Sequence, residues 1–273
     1  MKSILYLTDF AYQAKGRRYC DEDLFITDRL RSRFNVATCH PASCSPFEDA
    51  ADLIVFRNAG AVAGFQDAYD AFRARIRQKG LRTYNEFTGR ADMLGKQYLL
   101  DMTDAGMRVI PTVESLDNLG QLPETDRYVV KPKGGADSIG LEFLTHDELL
   151  AKDFAESEML IQPAIDFEYE VSFFFVDGDY EYALYAPNAN ARWELVPYNA
   201  TDADQAFARG FVEWNSISHG IQRVDACRTT DGDLLLVELE DLNPYLSLDC
   251  LDAATRDRFL AHFADALEKV ATK

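Results

Sequence analysis

The run Ile221-Gln-Arg-Val-Asp-Ala-Cys227, its polar tip Arg228-Thr-Thr-Asp-Gly-Asp233, and the return Leu234-Leu-Leu-Val-Glu-Leu-Glu-Asp-Leu-Asn-Pro244 read as a β-hairpin. Both arms alternate in polarity, and Asp231-Gly232 between them is a two-residue turn signal. With that turn Asp225 lies opposite Glu238, and Arg223 opposite Glu240. Val224, Ala226, Leu235, Val237 and Leu239 then fall on the other, packed face. Facing carboxylates repel unless a cation sits between them. Asp225, Glu238 and Glu240, with Asn243 just beyond, offer hard oxygen ligands suited to Mg²⁺, with Mn²⁺ as an alternative. The competing reading is a solvated acidic face that holds nothing, and an odd register shift would separate Asp225 from Glu238.

Upstream, residues 1–84 read as strand–helix–strand–helix. Ile4–Leu7 and Ala51–Phe56 are apolar strands. Asp23–Phe34 and Ala63–Lys79 have helical spacing, the second through Phe65, Tyr69, Phe72 and Ile76. Such alternation predicts a small parallel α/β layer. Thr8-Asp9-Phe10-Ala11-Tyr12 after the first strand carries no Gly-rich dinucleotide fingerprint. Gly89–Ala105 is predicted helical, Tyr128–Val130 and Met159–Gln162 extended. Val171–Val176 and Tyr180–Tyr185 form a meander, Asp204–Trp214 a helix, and Leu251–Val270 a closing amphipathic helix.

A second constellation follows the Tyr128–Val130 strand. Lys131 leads into a loop holding Gly134, Gly135, Ser138 and Gly140. Glycines let backbone N–H groups approach phosphate oxygens, and a lysine at the mouth supplies countercharge. The loop lacks the order of a P-loop, and alone it reads equally as a hairpin loop. Beside a carboxylate cluster it supplies the other half of a nucleotide–metal site.

From about Asn85 onward these motifs, in this order, resemble the ATP-grasp superfamily. Lys96 resembles its first nucleotide-contacting lysine. Lys131-Pro132 with Ser138-Ile139-Gly140 is similar to the phosphate-covering loop of D-alanine–D-alanine ligases. Gln162-Pro163-Ala164-Ile165 resembles the hinge lining the adenine, and Glu170-Val171-Ser172 the segment whose Glu binds the ribose. Glu168 shares the strand face of Glu170, which is preferred because Val171-Ser172 follows it. Arg223, Asp225 and Glu238-Leu-Glu240 resemble the metal-binding end, and Glu238-Leu-Glu240 with Pro244 is closer to cycloserine synthetase-like members than to the Glu-x-Asn ligases. There Asp225 and Glu238 would bind Mg²⁺, and Arg223 would stabilise the transferred phosphoryl group. Where those relatives carry a Gly-Asp-Phe-Arg-like segment, this chain has Ala189-Asn190-Ala191-Arg192-Trp193-Glu194. Arg192 is retained as a substrate candidate, and an Arg covering an aromatic is the alternative.

The resemblance implies an α/β ATP-grasp architecture. Residues 1–84 form the N-terminal domain, 85–165 a central subdomain with the lid loop, and 166–273 a C-terminal subdomain with the metal-binding hairpin. It implies an ATP-dependent carboxylate–amine ligase acting through an acylphosphate and releasing ADP and phosphate. The rival readings are a phosphotransferase on the same scaffold and a non-catalytic nucleotide-binding module.

A formal charge of −18 argues against nucleic acid and anionic lipid as partners. An anionic substrate must therefore be held by a local cluster of Lys and Arg or by a metal. No stretch approaches the ~18 apolar residues of a membrane span, and the amino terminus is too short in apolar residues for a signal peptide. Five scattered cysteines suit a reducing cytoplasm. Cys39-His40 and Cys44 read as incidental, His219 as a loop residue satisfied by backbone, and His146 and His262 as surface residues. Homo-oligomerisation, the acid and the amine are left open by the sequence.

Overall fold

The computed structural model describes residues 1–273 except 15, 58–61, 135–139, 153–158 and 189–193. The chain opens with β1 (Lys2–Leu7), a two-residue-per-arm ribbon of β2 (Gln13–Ala14) and β3 (Arg17–Arg18), and α1 (Cys20–Leu30). It continues through β4 (Phe34–Cys39), β5 (Leu53–Phe56), α2 (Gln66–Lys79), β6 (Thr83–Tyr84) and α3 (Gln97–Asp104). β7 (Arg127–Pro132), β8 (Glu142–Thr145), α4 (His146–Ala151) and β9 (Met159–Pro163) follow. The last third comprises β10 (Phe167–Val176), β11 (Asp179–Ala186), β12 (Val196–Pro197), α5 (Asp202–Asn215), β13 (Ile221–Thr229), β14 (Leu234–Glu240) and α6 (Ala253–Ala271).

These strands form a parallel sheet ordered β4-β1-β5-β6, an antiparallel β8-β7-β9 sheet and an antiparallel β12-β11-β10-β13-β14 sheet, besides the ribbon. The expected parallel layer is present, but two of its strands were not predicted. β4 is an edge strand with only Phe34 buried, so it lacks the apolar run that marks a central strand. β6 is two residues long.

Packing follows strand alternation. Ile4 and Tyr6 turn one face of β1 toward α1 and α6, whose Phe259, Phe263 and Leu267 also meet Phe174 and Tyr182 of the large sheet. Leu5 and Leu7 turn to the other face, against Tyr69, Phe72 and Ile76 of α2. Helix α2 ends at Gly80, whose φ of 64° allows the left-handed stop that a residue with Cβ resists. Val171, Phe173, Val224, Leu236 and Leu239 cover the back of the large sheet beneath α3 and α5. Val113, Tyr128, Val130, Leu149 and Ile161 form a separate small core for the central sheet.

A short extended segment joins the two antiparallel sheets. Leu236 N–H donates to Arg108 O and Ile110 N–H to Leu236 O, placing the segment on the edge of β14. Val113 then exchanges backbone bonds of 3.0 and 2.8 Å with Ile161 on the edge of β9. One chain thus closes two sheet edges that would otherwise stay open.

The decisive hairpin forms, with a different turn. Thr229 N–H donates to Asp233 O, and Gly232 at φ 88° donates to Thr229 O, so the loop comprises Thr230, Asp231 and Gly232 rather than two residues. A bulge at Val237 then shifts the register back by one. The two deviations cancel, and Asp225 faces Glu238 and Arg223 faces Glu240 as expected. They do not cancel near the turn. Leu234 and Leu236 are buried there, while Leu235 and Val237, expected on the packed face, are only half-buried.

Candidate active site

Along one face of the large sheet, Ser172 of β10 sits beside Asp225 of β13, which sits beside Glu238 of β14. Arg223 and Glu240 form the next paired position, two residues along each strand. Ligand oxygens of Asp225, Glu238 and Glu240 lie within 4.8 Å of one another, the one such group of three found among the described residues. The spacing matches a hard cation bridged by carboxylates.

Two cations balance this cluster from within the protein. Arg223 grips Asp225 through Nε at 2.9 Å and Nη2 at 2.8 Å, and Nη2 also donates to Glu240. Nη1 donates to Tyr245 O at 3.1 Å. Of the five N–H groups of a guanidinium, one on Nη1 is left. Burial opposes the Arg223 charge, but Asp225 and Glu240 outweigh it and raise its pKa above the ordinary value. Ser172 Oγ donates to Asp225 at 2.6 Å. Burial pushes Glu240 up to about 7, with Arg223 pulling down and Asp225 pushing further up.

Lys96 supplies the second cation, with its ammonium on Glu238. The residue was expected early in a helix over Gly89–Ala105. Instead it precedes α3, after a 3₁₀ turn at Asp92–Leu94 and Gly95 at φ 81°. The left-handed glycine breaks the helical run. Lys96 N–H donates to Lys133 O at 2.9 Å, which brings this segment against the end of β7. Lys131 is half-buried on β7. Desolvation of its ammonium, and then the charge of Lys96, pull it down to about 7. Lys96 therefore meets the carboxylates where the central and C-terminal sheets converge, with Lys131 near it.

Behind the cluster lies a buried clasp that sequence reading missed. Asp241 accepts from Ala91 N–H at 3.1 Å, Met93 N–H at 2.9 Å and Asn215 Nδ2 at 3.0 Å. Asp92 accepts in return from the N–H groups of Asp241 and Leu242, at 2.6 and 3.0 Å. Burial, then the contact with Asp241, push Asp92 far above the usual carboxylate range. Gly89 has no room for a side chain, since a Cβ would come within 2.0 Å of Asp241 Oδ2. Asn85 adds a second tie, donating to Ile221 O at 2.6 Å and to Asp241 O at 2.5 Å. The clasp holds the Lys96 segment on the strand that carries Glu238 and Glu240.

The other expected residues are placed as follows. Gln162 is buried, its amide donating to Thr112 Oγ1 at 2.8 Å, and Ile165 is half-buried just beyond β9. Glu170 is half-buried on the face of Ser172 and Asp225. A bulge between Phe167 and Tyr169 removes Glu168 from that alternation and leaves it exposed. Asn243 is half-buried after β14, and Gly134 is exposed at the end of the described part of its loop. Gly140 sits at φ 76°, where a Cβ would meet Pro132 at 2.9 Å. Gly135, Ser138 and Arg192 lie outside the described residues. His219 bonds Thr83 O at 2.9 Å, as expected of a loop histidine, and His146 is exposed. His262, expected at the surface, is half-buried with Nδ1 2.5 Å from Glu181 because α6 lies across β11.

No family model matches the chain. In sequence it is 27% identical over 192 residues to the cycloserine biosynthesis protein DcsG of Streptomyces lavendulae, covering 57% of this chain and 64% of that protein, just under two thirds of its length. In structure it is similar to D-cycloserine synthetase DcsG, with TM-score 0.75 and 22% identity over 97% of this chain and 99% of the other. It is also similar to the D-alanine–D-alanine ligase of Bacillus anthracis complexed with ATP (TM-score 0.72, 14% identity, 100% and 98% covered). The macrocyclase MdnC from Microcystis aeruginosa, bound to its precursor peptide MdnA, gives TM-score 0.69 at 12% identity, with 97% and 98% covered. With its parallel first sheet and two antiparallel sheets meeting at the acidic face, the chain has the ATP-grasp fold and resembles the cycloserine synthetase and D-alanine–D-alanine ligase branches of it.

Proposed function

We propose that this protein is an ATP-dependent ligase joining a carboxylate to an amine, with ADP and phosphate as co-products. The observation that carries the reading is the meeting of Asp225, Glu238 and Glu240 with Arg223 and Lys96 on one sheet face. Residues 1–84, 85–165 and 166–273 serve in it as N-terminal, lid-bearing and metal-bearing units.

The donor set fits a divalent ion, because three carboxylates crowd together and, among the described residues, only Arg223 and Lys96 pair with them. Asp225, Glu238 and Glu240 would hold Mg²⁺, with Mn²⁺ as an alternative and Asn243 as an outer ligand. A bound Mg²⁺ supplies charge neutralisation for the β- and γ-phosphates. Lys96 and Lys131 face the polyphosphate, together with Gly134, Gly135 and Ser138. Gln162 and Ile165 line the base, and Glu170 holds the ribose.

In the reaction, a carboxylate oxygen attacks the γ-phosphorus and the bond to ADP breaks, leaving an acylphosphate. The amine nitrogen then attacks the acyl carbon, the bond to phosphate breaks, and the amine proton passes to solvent. Arg223 is held rigidly by Asp225, Glu240 and Tyr245 O, so its remaining Nη1–H is preorganised for the charge that develops in transfer. Arg192 remains a substrate candidate. Membrane and nucleic-acid partners form no part of the proposal; no helix among the described residues is long and apolar enough to cross a membrane.

A screen of ADP and phosphate release over paired acids and amines tests the reading. A pair that yields one amide per ADP and phosphate supports it. A stable phosphorylated product favours the phosphotransferase, and nucleotide binding without turnover in any pair favours the non-catalytic module.

A further inference from the structure

The turn that follows β14 is held from outside its own sheet. Leu246 and Leu248 are buried, and their N–H groups both donate to one carboxylate, at 3.0 and 3.1 Å. That carboxylate belongs to Glu22, in the first turn of α1. Ser247 lies between the two leucines at φ 53°, in the left-handed region that a residue with a Cβ seldom enters. Two N–H groups flanking a left-handed residue form a concave nest for an anion, and Glu22 fills it. Such a backbone persists only where neighbouring groups enforce it.

Glu22 is itself built into the interior. It is 7% exposed, and the buried Arg57 reaches it at 3.5 Å. Asp23 beside it is committed elsewhere, accepting from the hydroxyls of Tyr6 and Thr8 at 2.9 and 2.6 Å. Burial pushes Glu22 up to about 7, while Arg57 and the N–H groups of Leu246 and Leu248 pull it down. Above that pH the carboxylate is charged, and both bonds to the turn are charge-assisted.

One peptide group connects this anchor to the transfer centre. The peptide between Tyr245 and Leu246 donates through its N–H to Glu22 and accepts through its C=O from Arg223 Nη1, at 3.1 Å. A peptide group is planar, so fixing its N–H fixes the direction of its C=O. The carboxylate also polarises that group and strengthens the acceptor that Arg223 meets. We propose that Glu22 is a positioning residue for phosphoryl transfer, acting through the Tyr245–Leu246 peptide to fix the Nη1 edge of Arg223. This inference rests on the ligase reading for what Arg223 does, and on the hydrogen bonds alone for how Glu22 holds it.

The first test needs no turnover. Side-chain nitrogen NMR spectra of the arginine-labelled full chain are recorded at pH 8, where Glu22 is ionised. The Arg223 Nη1 signal is identified as one that Arg223→Lys abolishes. Glu22→Gln sets an amide donor against one of the two N–H groups, so the signal should shift and its protons exchange with water at least about tenfold faster. Glu22→Asp keeps the charge one methylene short and should fall between the two. An unchanged signal and exchange rate in Glu22→Gln overturn the inference. Turnover then tests the role through a double-mutant cycle. Glu22→Gln should lower kcat about tenfold with ATP affinity changed less than about threefold, yet lower it less than about twofold where Arg223 is already replaced by Lys. A tenfold loss in both backgrounds means that Glu22 acts apart from Arg223, and it overturns the inference. If Glu22→Gln does not fold, Glu22→Gln with Arg57→Met, which leaves no arginine opposite a neutral partner, takes its place in both tests. No turnover with any acid–amine pair refutes the ligase reading, and the spectra then decide the link between Glu22 and Arg223 by themselves.

Discussion

Lys131 offers a quantitative handle on nucleotide binding, because burial and the nearby Lys96 hold it at about 7 in the free protein. Polyphosphate beside it restores the charged form and moves its pKa back toward the ordinary lysine value of about 10.4. Binding then takes up a proton. The sign follows: affinity is full below pH 7, where Lys131 is already charged, and falls as pH rises from about 7 toward the pKa of the complex. At pH 8 about one free molecule in eleven carries the charge, so uptake at Lys131 is about 0.9 proton and the cost about 1.4 kcal/mol. From pH 7 to pH 9 the affinity contribution should drop about fiftyfold. The assay is calorimetric titration with Mg²⁺ and a non-hydrolysable ATP analogue, repeated in buffers of different ionisation enthalpy. Glu240, held at about 7, also exchanges protons on binding, so the comparison is between wild type and Lys131→Arg, which shares Glu240 but stays charged. Uptake at pH 8 should be about 0.9 proton lower in the variant, and its pH slope flatter. Identical uptake and slope in the two proteins would refute a phosphate contact at Lys131.

Arg223→Lys keeps the charge but loses the planar grip on Asp225 and Glu240. Its kcat should fall by about 10²-fold or more, while calorimetric ATP affinity changes by only about threefold; normal turnover, or failure through lost ATP binding alone, contradicts a role in transfer. Asp241→Ala strips an acceptor from Ala91 N–H, Met93 N–H and the Asn215 amide in a fully buried setting. Urea unfolding should show a loss of about 3–5 kcal/mol, and a loss within about 1 kcal/mol of wild type means the clasp contributes little.

Residue chemistry made the acidic face legible, more than geometry did. Asp225, Glu238, Arg223 and Glu240 alternate with apolar residues, and that pattern placed them together even though the turn was read one residue short. The Val237 bulge compensated, and no local signal in Leu234-Leu-Leu-Val announces a bulge. Lys96 was recognised by kind but placed inside a helix, because the pattern from Gly89 onward hides a left-handed glycine at 95. Ser172, Asn85, Asp92 and Asp241 were missed as a group. Their partners lie 26 to 156 residues away, and each looks like an ordinary polar residue until the chain folds. Edge strand β4 was missed for the opposite reason, since solvent on most of its residues removes the apolar run.

The central claim, that Asp225 and Glu238 hold the divalent ion on which turnover depends, is tested by titrating Mg²⁺ in an ADP-release assay. Wild type, Asp225→Asn and Glu238→Gln are compared with an acid–amine pair that the wild type turns over. Each variant should need at least about tenfold more Mg²⁺ for half-maximal turnover, or lose turnover altogether, because each removes a charged ligand. An unaltered Mg²⁺ dependence in both variants would contradict the assignment.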